Sequence, residues 1–269
     1  MNLQELLKLR PNEFNDKNTK LIRHKDTRGI YDFKDIVNNR DKLLEYQREQ
    51  DKDVFNCEYI ISFIGLEHMK SLLFGIFKVN REKTGKRNNN FYYDLTEISG
   101  FEDFNERIVI DWGKSGQAWH QWYNNEKEVI EILPSGYIGS FPGLLNFVLD
   151  FKELEKVVKN PDSNKDWEVQ LSSINGIYMI LDSKSGDLYI GSANGQKGVF
   201  GRWEDYIKTK HGGNKKLIEL IEKEHLYYQN FKFSILQTLP NNITKPEIDK
   251  IESIYKEKLG TRVFGLNNN

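Results

Sequence analysis

An α+β chain in two parts is expected from three observations. Residues 58 to 134 hold five closely spaced runs rich in Ile, Val, Phe and Tyr and broken by Gly, Asn and Pro. From about residue 175 onward, strand-like and helix-like patterns alternate in a different rhythm. Between them, "NPDSNKDW" joins Asn-Pro to Asp and Ser, a turn signal that places the boundary near residues 160 to 170. The expected organisation is a β-rich recognition domain over 1–165, a curled sheet or small barrel with helices. A small three-stranded α/β layer follows over 170–269.

The N-terminal part opens on two helical patterns, "LQELLKL" and "DIVNNRDKLLEYQRE". The strand runs follow: "EYIISFIG", "SLLFGIFKV", "FYYDLTEI", "RIVIDWG" and "EVIEILP". The basic, polar run "KVNREKTGKRNNNF" reads as a loop. "DWGKSGQAWHQWY" gathers Trp112, Trp119, His120, Trp122 and Tyr123. Two readings stand for it: a core plug for the barrel, or a pocket in which Trp119 and Trp122 stack on a nucleic-acid base, as one flipped out of the duplex. "LLNFVLDFKELEKVVKN" has helical spacing and leads to the boundary.

The C-terminal part starts with "GIYMILD", the turn "SKSG" and "DLYIGS", which together make a hairpin. A glycine-rich loop, "SANGQKGVFG", leads into helix-like "RWEDYIKT". After "KHGGN" come the helix "KKLIELIEKEHL" and the strand "FKFSILQTL". The last helix, "TKPEIDKIESIYKEKLG", takes Thr244 as N-cap and carries Pro246 in its first turn, where the missing N–H costs nothing. Glu247 completes a capping box and Gly260 ends the helix.

Composition narrows the function. Net charge is −1 over 269 residues, so the whole molecule is no basic nucleic-acid magnet. From Leu171 to the end, 14 Lys and Arg stand against 11 Asp and Glu, and the remainder is correspondingly acidic, which permits a phosphate-binding face on the C-terminal part. No apolar run is long enough to span a bilayer, and "MNLQELLKLRPNEF" has no signal-peptide core. A single cysteine, Cys57 in the strand-like "NCEYIISF", excludes an internal disulfide and fits a reducing cytoplasm; its expected role is core packing.

The chemistry rests on "NGIYMILDSKSGDLYIGS". It holds GIY at 176–178 and, after ten intervening residues, YIG at 189–191. The same tripeptides occur alone elsewhere, GIY ending at Tyr31 and YIG starting at Tyr137, and neither has its partner nearby. On the hairpin, alternation of faces and cross-strand pairing bring Tyr178 near Tyr189. Arg202 and Tyr206 in "GRWEDY" are four apart and share one helix face. Glu252 lies on the last helix, fifteen residues before Asn267.

In these residues and their order the last hundred residues resemble the GIY-YIG endonuclease family. That family places an Arg on the first helix after YIG, a His or Tyr one turn later, a Glu on a later helix and an Asn beyond it. "RWEDYIKTKHGGNKKL" resembles a subset with a His in an HGGN turn, here His211. The resemblance implies a DNA endonuclease leaving 5′-phosphate and 3′-hydroxyl ends. Its implied catalytic group is Tyr178, Tyr189, Arg202, Tyr206 and His211. Glu252 would hold one Mg²⁺ or Mn²⁺, which prefers oxygen ligands and keeps waters. Arg202 would grip non-bridging phosphate oxygens, and a tyrosine, Tyr178 first, would help deprotonate the attacking water. Lys197 and Asn267 are nucleic-acid-binding candidates, with Trp119 and Trp122 in the other domain.

Plainer readings exist for each. The tyrosines suit any strand; Arg202 could pair with Glu204 or Asp205; Glu252 has Glu247, Asp249 and Glu257 as neighbours on a charged helix. His211 fits a turn cap as well as a catalytic role, and Lys197 fits solvent as well as phosphate. The curled sheet with its Trp-rich stretch resembles the PUA-like barrels that read modified bases or RNA. A restriction or genome-defence enzyme acting on double-stranded DNA, modified or not, is the expected function. A non-catalytic nucleic-acid-binding module and an RNA nuclease are the alternatives.

Overall fold

The computed structural model describes residues 1–25, 36–37, 39–114 and 118–268. Within them the chain forms two compact units, Met1–Pro134 and Ser135–Asn269.

The first unit opens on helix α1 (Leu3–Lys8), whose capping box pairs the Asn2 side chain with the Glu5 N–H and Glu5 with the Asn2 N–H, both at 2.8 Å. Strand β1 (Thr19–His24), helix α2 (Arg40–Arg48) and the short β2 (Glu49–Gln50) follow. Then come β3 (Tyr59–Gly65), β4 (Lys70–Val79), β5 (Gly85–Arg87), β6 (Asn90–Tyr92) and β7 (Leu95–Glu97). The unit closes with β8 (Ile108–Asp111), β9 (His120–Trp122) and β10 (Val129–Ile132). The main sheet runs β10-β8-β4-β3-β1-β9 with β7 also on β4, a curled half-barrel; β2-β6-β5 form a second, small sheet. β1 and β3 are parallel, whereas the other pairs of the main sheet are antiparallel.

Both faces of the main sheet are covered, which is why its strands read as continuous apolar runs. Leu21, Ile61 and Phe63 face one core with Leu3, Leu6 and Leu7 of α1. Their neighbours Ile22, Ile60 and Ile64 face another with Leu43 of α2, Phe55 and Tyr93. Trp112 is the core plug of the first of these: it is fully buried, meets Phe63 edge-on at 6.1 Å and donates from Nε1 to the Ala118 carbonyl at 2.9 Å. The other two tryptophans are not plugs. Trp119 is half-buried beside the second core, and Trp122 is exposed with the Lys20 ammonium 4.7 Å over its ring. Two expectations change here. β1 and β9 were not anticipated, because "TKLIRH" carries three charged or titratable residues in six. The run expected as a loop instead forms a hairpin, β5 and β6.

His24 on β1 is buried, its Nε2 2.9 Å from Gln47 Oε1, an oxygen that also accepts from the Ser62 hydroxyl. Burial lowers His24 to about 4. Its folded value lies below the ordinary one, so the unfolded chain takes the proton first. The stability it contributes is therefore present above pH 6.5 and lost as pH falls from 6.5 to 4, on the order of 3 kcal/mol. Asp53, held to about 2 chiefly by its hydrogen bond from Arg81, adds its loss only below that window. A melting temperature that stays flat between pH 6.5 and 4 would exclude a neutral buried His24.

The second unit begins earlier than the expected boundary, at Ser135. Its elements are β11 (Leu149–Asp150), α3 (Phe151–Lys159), α4 (Lys165–Ser172), β12 (Asn175–Asp182), β13 (Leu188–Ala193), α5 (Gly198–Thr209), α6 (Lys215–Lys223), β14 (Phe231–Leu239), α7 (Lys245–Lys258) and α8 (Thr261–Phe264). The sheet order is β11-β14-β12-β13, all antiparallel, so the expected three strands stand with the GIY strand in the centre and gain a two-residue fourth. The helix expected from residue 144 starts at Phe151, where Asp150 and Glu153 make a capping box. Phe151, Leu154 and Val157 of α3 are buried in the same core as Tyr178, Trp203 and Phe233, which ties residues before 165 to this unit. Strand alternation sorts the sheet into two faces. Tyr178 and Ile180 face α5, whereas Ile177, Met179 and Ile190 face Ile248 and Ile251 of α7. No helix among the described residues is long and apolar enough to cross a membrane.

Candidate active site

The hairpin spacing sets the geometry. β12 and β13 pair in register with Tyr178 opposite Gly191 and Ile180 opposite Tyr189, so the two tyrosines are diagonal neighbours on one face, with ring centroids 6.3 Å apart. The hydroxyl end of the Tyr178 ring occupies the space above Gly191; a Cβ there would fall 2.9 Å from Tyr178 Cε2 and closer still to the end of the ring. The glycine of YIG is thus a steric requirement of the tyrosine of GIY.

Helix α5 covers this face. Val199, Phe200, Trp203, Tyr206 and Ile207 form its buried stripe. Tyr206 is fully buried, with its hydroxyl 3.2 Å from that of Tyr178. Arg202, one turn earlier, donates from Nε to the Tyr178 hydroxyl at 3.1 Å and from Nη2 to the Gly212 carbonyl at 2.9 Å. Its guanidinium also lies 5.0 Å from the Tyr206 ring centroid. The other arm, Nη1, meets only Asp205 at 3.9 Å, and the side chain is 30% exposed. Arg202 is therefore fixed on its inner side and has N–H donors left for an anion on its outer side. Gly212, in the left-handed region at φ 55°, lies against the Tyr206 ring, where a Cβ would approach Cε1 to 2.6 Å. That close approach accounts for the HGGN turn.

Burial pushes the Tyr178 hydroxyl well above its ordinary value and Tyr189 adds to the rise, while Arg202 and the hydrogen bond with Tyr206 pull it back only in part. Burial raises Tyr206 in the same direction. Neither tyrosine forms a phenolate near neutral pH without further positive charge.

The remaining candidates fall in different places. His211 accepts the Gly213 N–H on Nδ1 at 2.9 Å, inside the turn that Arg202 holds. Asn214, not His211, caps α6 through the Leu217 N–H. Lys197 is exposed at the start of α5, 3.5 Å from Glu204, and keeps its ammonium in solvent. Asn267 is buried: its Oδ1 accepts from Ile190 N at 2.9 Å and its Nδ2 donates to Ile190 O at 2.8 Å. With Leu266 N bonded to Leu188 O, it pins the C-terminal segment along the free edge of β13. Its amide is spent there, so the expected nucleic-acid contact becomes a structural one.

Glu252 sits on α7, which packs on the face of the sheet opposite Tyr178 and contacts β13 most extensively. Both strands of the hairpin, β12 with Tyr178 and β13 with Tyr189, present their opposite face to the helix of Glu252. The Glu252 side chain is 16% exposed and bonds Lys256 at 2.7 Å. Lys256 was not anticipated, although its place four residues after Glu252 is the ordinary signal for a helical ion pair. Among the described residues no cluster of three or more His, Cys, Asp or Glu could cage a metal. A Mg²⁺-like ion, which binds through one or two carboxylates and retains its waters, would take Glu252 as a ligand only by displacing Lys256.

Neither a family profile nor a curated protein sequence matches the chain. Two solved structures do. One is a point mutant of the catalytic domain of the intron endonuclease I-TevI, 25% identical over 36% of this chain and 94% of that one, with a TM-score of 0.30. The other is the catalytic domain of the homing endonuclease I-TevI, 27% identical over 35% and 98%, with a TM-score of 0.28. The structural neighbours of the chain are thus endonuclease catalytic domains. With TM-scores this low, the functional reading rests on the residues of the site.

Proposed function

We propose that the second unit is a metal-dependent DNA endonuclease layer of the GIY-YIG type and that the first unit selects the DNA. The observation that carries this reading is the bond from Arg202 Nε to the Tyr178 hydroxyl, with Tyr206 behind it. It joins an anion-binding fork to a hydroxyl whose proton can be directed. A phosphodiester needs both functions: charge stabilisation on its non-bridging oxygens and a group that orders and deprotonates the attacking water.

In this reading Arg202 holds the phosphate with its outer N–H groups. Tyr178 accepts from Arg202, which turns its own proton away from the guanidinium; Tyr206 holds the hydroxyl from the core side, and half-buried Tyr189 orders the water. Glu252 would hold a Mg²⁺ or Mn²⁺ in place of its Lys256 partner, and that ion would supply Lewis-acid stabilisation to the phosphate. Products with 5′-phosphate and 3′-hydroxyl ends, and a role in restriction or genome defence, go with the family resemblance. In the first unit, exposed Trp122 and half-buried Trp119 remain the stacking candidates. A cytoplasmic setting suits a lone cysteine, Cys57, whose thiol burial pushes up to about 11 and leaves inert.

Incubating the full chain with modified and unmodified phage DNA and Mg²⁺ tests the reading. Cleavage should appear on at least one substrate and disappear on adding EDTA. Glu252→Gln should cut at least ~10²-fold more slowly and bind DNA as wild type does, with a lowered melting temperature because the buried Lys256 loses its ion pair. Full cleavage by Glu252→Gln sinks the metal assignment.

A further inference from the structure

The hairpin formed by β5 and β6 has no place in the nuclease site; Phe91 at its base packs on the second core of the first unit, and its tip lies beyond that contact. Arg87 pairs with Asn90 across its end, and the two residues between them, Asn88 and Asn89, lie in the left-handed region at φ 49° and 69°. That is the requirement of a two-residue type I′ turn, which asparagine meets at little cost. The base is held firmly. β6 pairs with β2, Arg87 and the Tyr92 hydroxyl both bond Glu45 of α2, and Asn90 donates to Glu49 at 2.8 Å. The tip is left free. Lys83, Lys86, Asn88 and Asn89 are exposed, and none makes an ion pair or side-chain hydrogen bond with another described residue; Lys86 lies over the Phe91 ring.

We propose that this hairpin is a base-reading ribbon that enters the major groove of double-stranded DNA, with Asn88 and Asn89 at the base edges and Lys83 and Lys86 on the flanking phosphates. The proposal rests on the reading of the chain as a DNA enzyme and gives that enzyme an element for choosing its site. A two-stranded ribbon fits a groove about 12 Å wide, and asparagine presents the donor and acceptor that match adenine N7 and N6. The free ammonium groups supply the sequence-independent part of the contact. An exposed tip carrying two carboxamides and no apolar side chain suits a polar groove and offers nothing to an apolar protein partner. Duplex RNA does not fit, because its major groove is too deep and narrow for side chains to read.

The test uses the full chain and a pool of 40-base-pair duplexes with randomised centres, the bound fraction being sequenced. Wild type should enrich a motif containing adenine. Asn88→Gly with Asn89→Gly keeps the left-handed turn but removes both amides. It should melt like wild type and lose at least about tenfold preference at one or two positions of the motif. Lys83→Gln with Lys86→Gln should weaken binding to all sequences evenly and lower the slope of log affinity against log salt by about 2. No motif from wild type, an unchanged motif from the glycine variant, or equal competition by duplex RNA overturns the proposal. Cleavage is scored separately on plasmid DNA. A glycine variant that still cuts, at scattered sites, leaves the nuclease reading standing. A wild type that enriches its motif and never cuts keeps the ribbon and sinks the nuclease.

Discussion

Tyr178→Phe is expected to slow DNA cleavage by ~10²–10⁴-fold, the range for removing a group that moves a proton in the rate-determining step. The ring would stay where it is, packed on Gly191 and against Trp203 at 6.2 Å, so the shape of the site persists. The lost hydroxyl leaves Arg202 Nε and the buried Tyr206 hydroxyl one partner short, and stability should fall by ~1–3 kcal/mol. A rate loss with a modest fall in melting temperature therefore marks a chemical role, and a fall in stability with an unchanged rate marks a packing role. The wild-type rate should also rise with pH on its alkaline side, because Tyr178 ionises above its ordinary range; Tyr178→Phe should remove that limb. Tyr137→Phe is the internal control. Tyr137 begins the second YIG, but its hydroxyl meets only Ser140 at 3.3 Å, and the variant should cut as wild type does. The other stray tripeptide ends at Tyr31, which lies outside the described residues. Wild-type cleavage by Tyr178→Phe would move the role of base to another group, Tyr189 first.

The second large effect concerns where the nuclease unit begins. A fragment from Ser135 to the end should fold and melt cooperatively. A fragment from Lys165, which keeps all three main strands and every candidate of the active site, should not. It lacks Leu149, Phe151, Leu154 and Val157, all buried in the core beneath Tyr178. It also lacks Phe147, which meets Trp167 at 5.0 Å and Trp203 at 6.1 Å. At ~1.5–3 kcal/mol per buried apolar side chain, the four buried residues alone account for roughly 6 kcal/mol or more. That is comparable with the whole stability of a small domain, ~5–15 kcal/mol. Circular dichroism and thermal melts of the two fragments decide the matter; a cooperative melt from the shorter one would show that the core closes without α3.

Sequence alone determined the parts whose signals are local. Capping residues placed α7, because Thr244 and Glu247 form a capping box and Pro246 brings no N–H to the first turn. Alternation and the ten-residue gap placed the hairpin and its two tyrosines, because a strand's period of two leaves little choice of face. The four-residue step put Arg202 and Tyr206 together, because 3.6 residues make a turn. Tertiary structure decided what depends on residues far apart in the chain. Which strands pair was not legible: β1, half of it charged or titratable, and β9, only three residues long, become strands by pairing with β3 and with each other. The boundary moved to Ser135 because "NPDSNKDW" marks a turn but says nothing of what α3 buries. The basic run became a hairpin because Glu45 and Glu49, some forty residues earlier, hold its base. Asn267 changed from a nucleic-acid contact to a clamp because its partner, Ile190, lies 77 residues away on an edge strand whose hydrogen-bonding groups need covering. A motif can name the residue types a reaction needs; which of their atoms remain free for the substrate is settled by the neighbours that folding supplies.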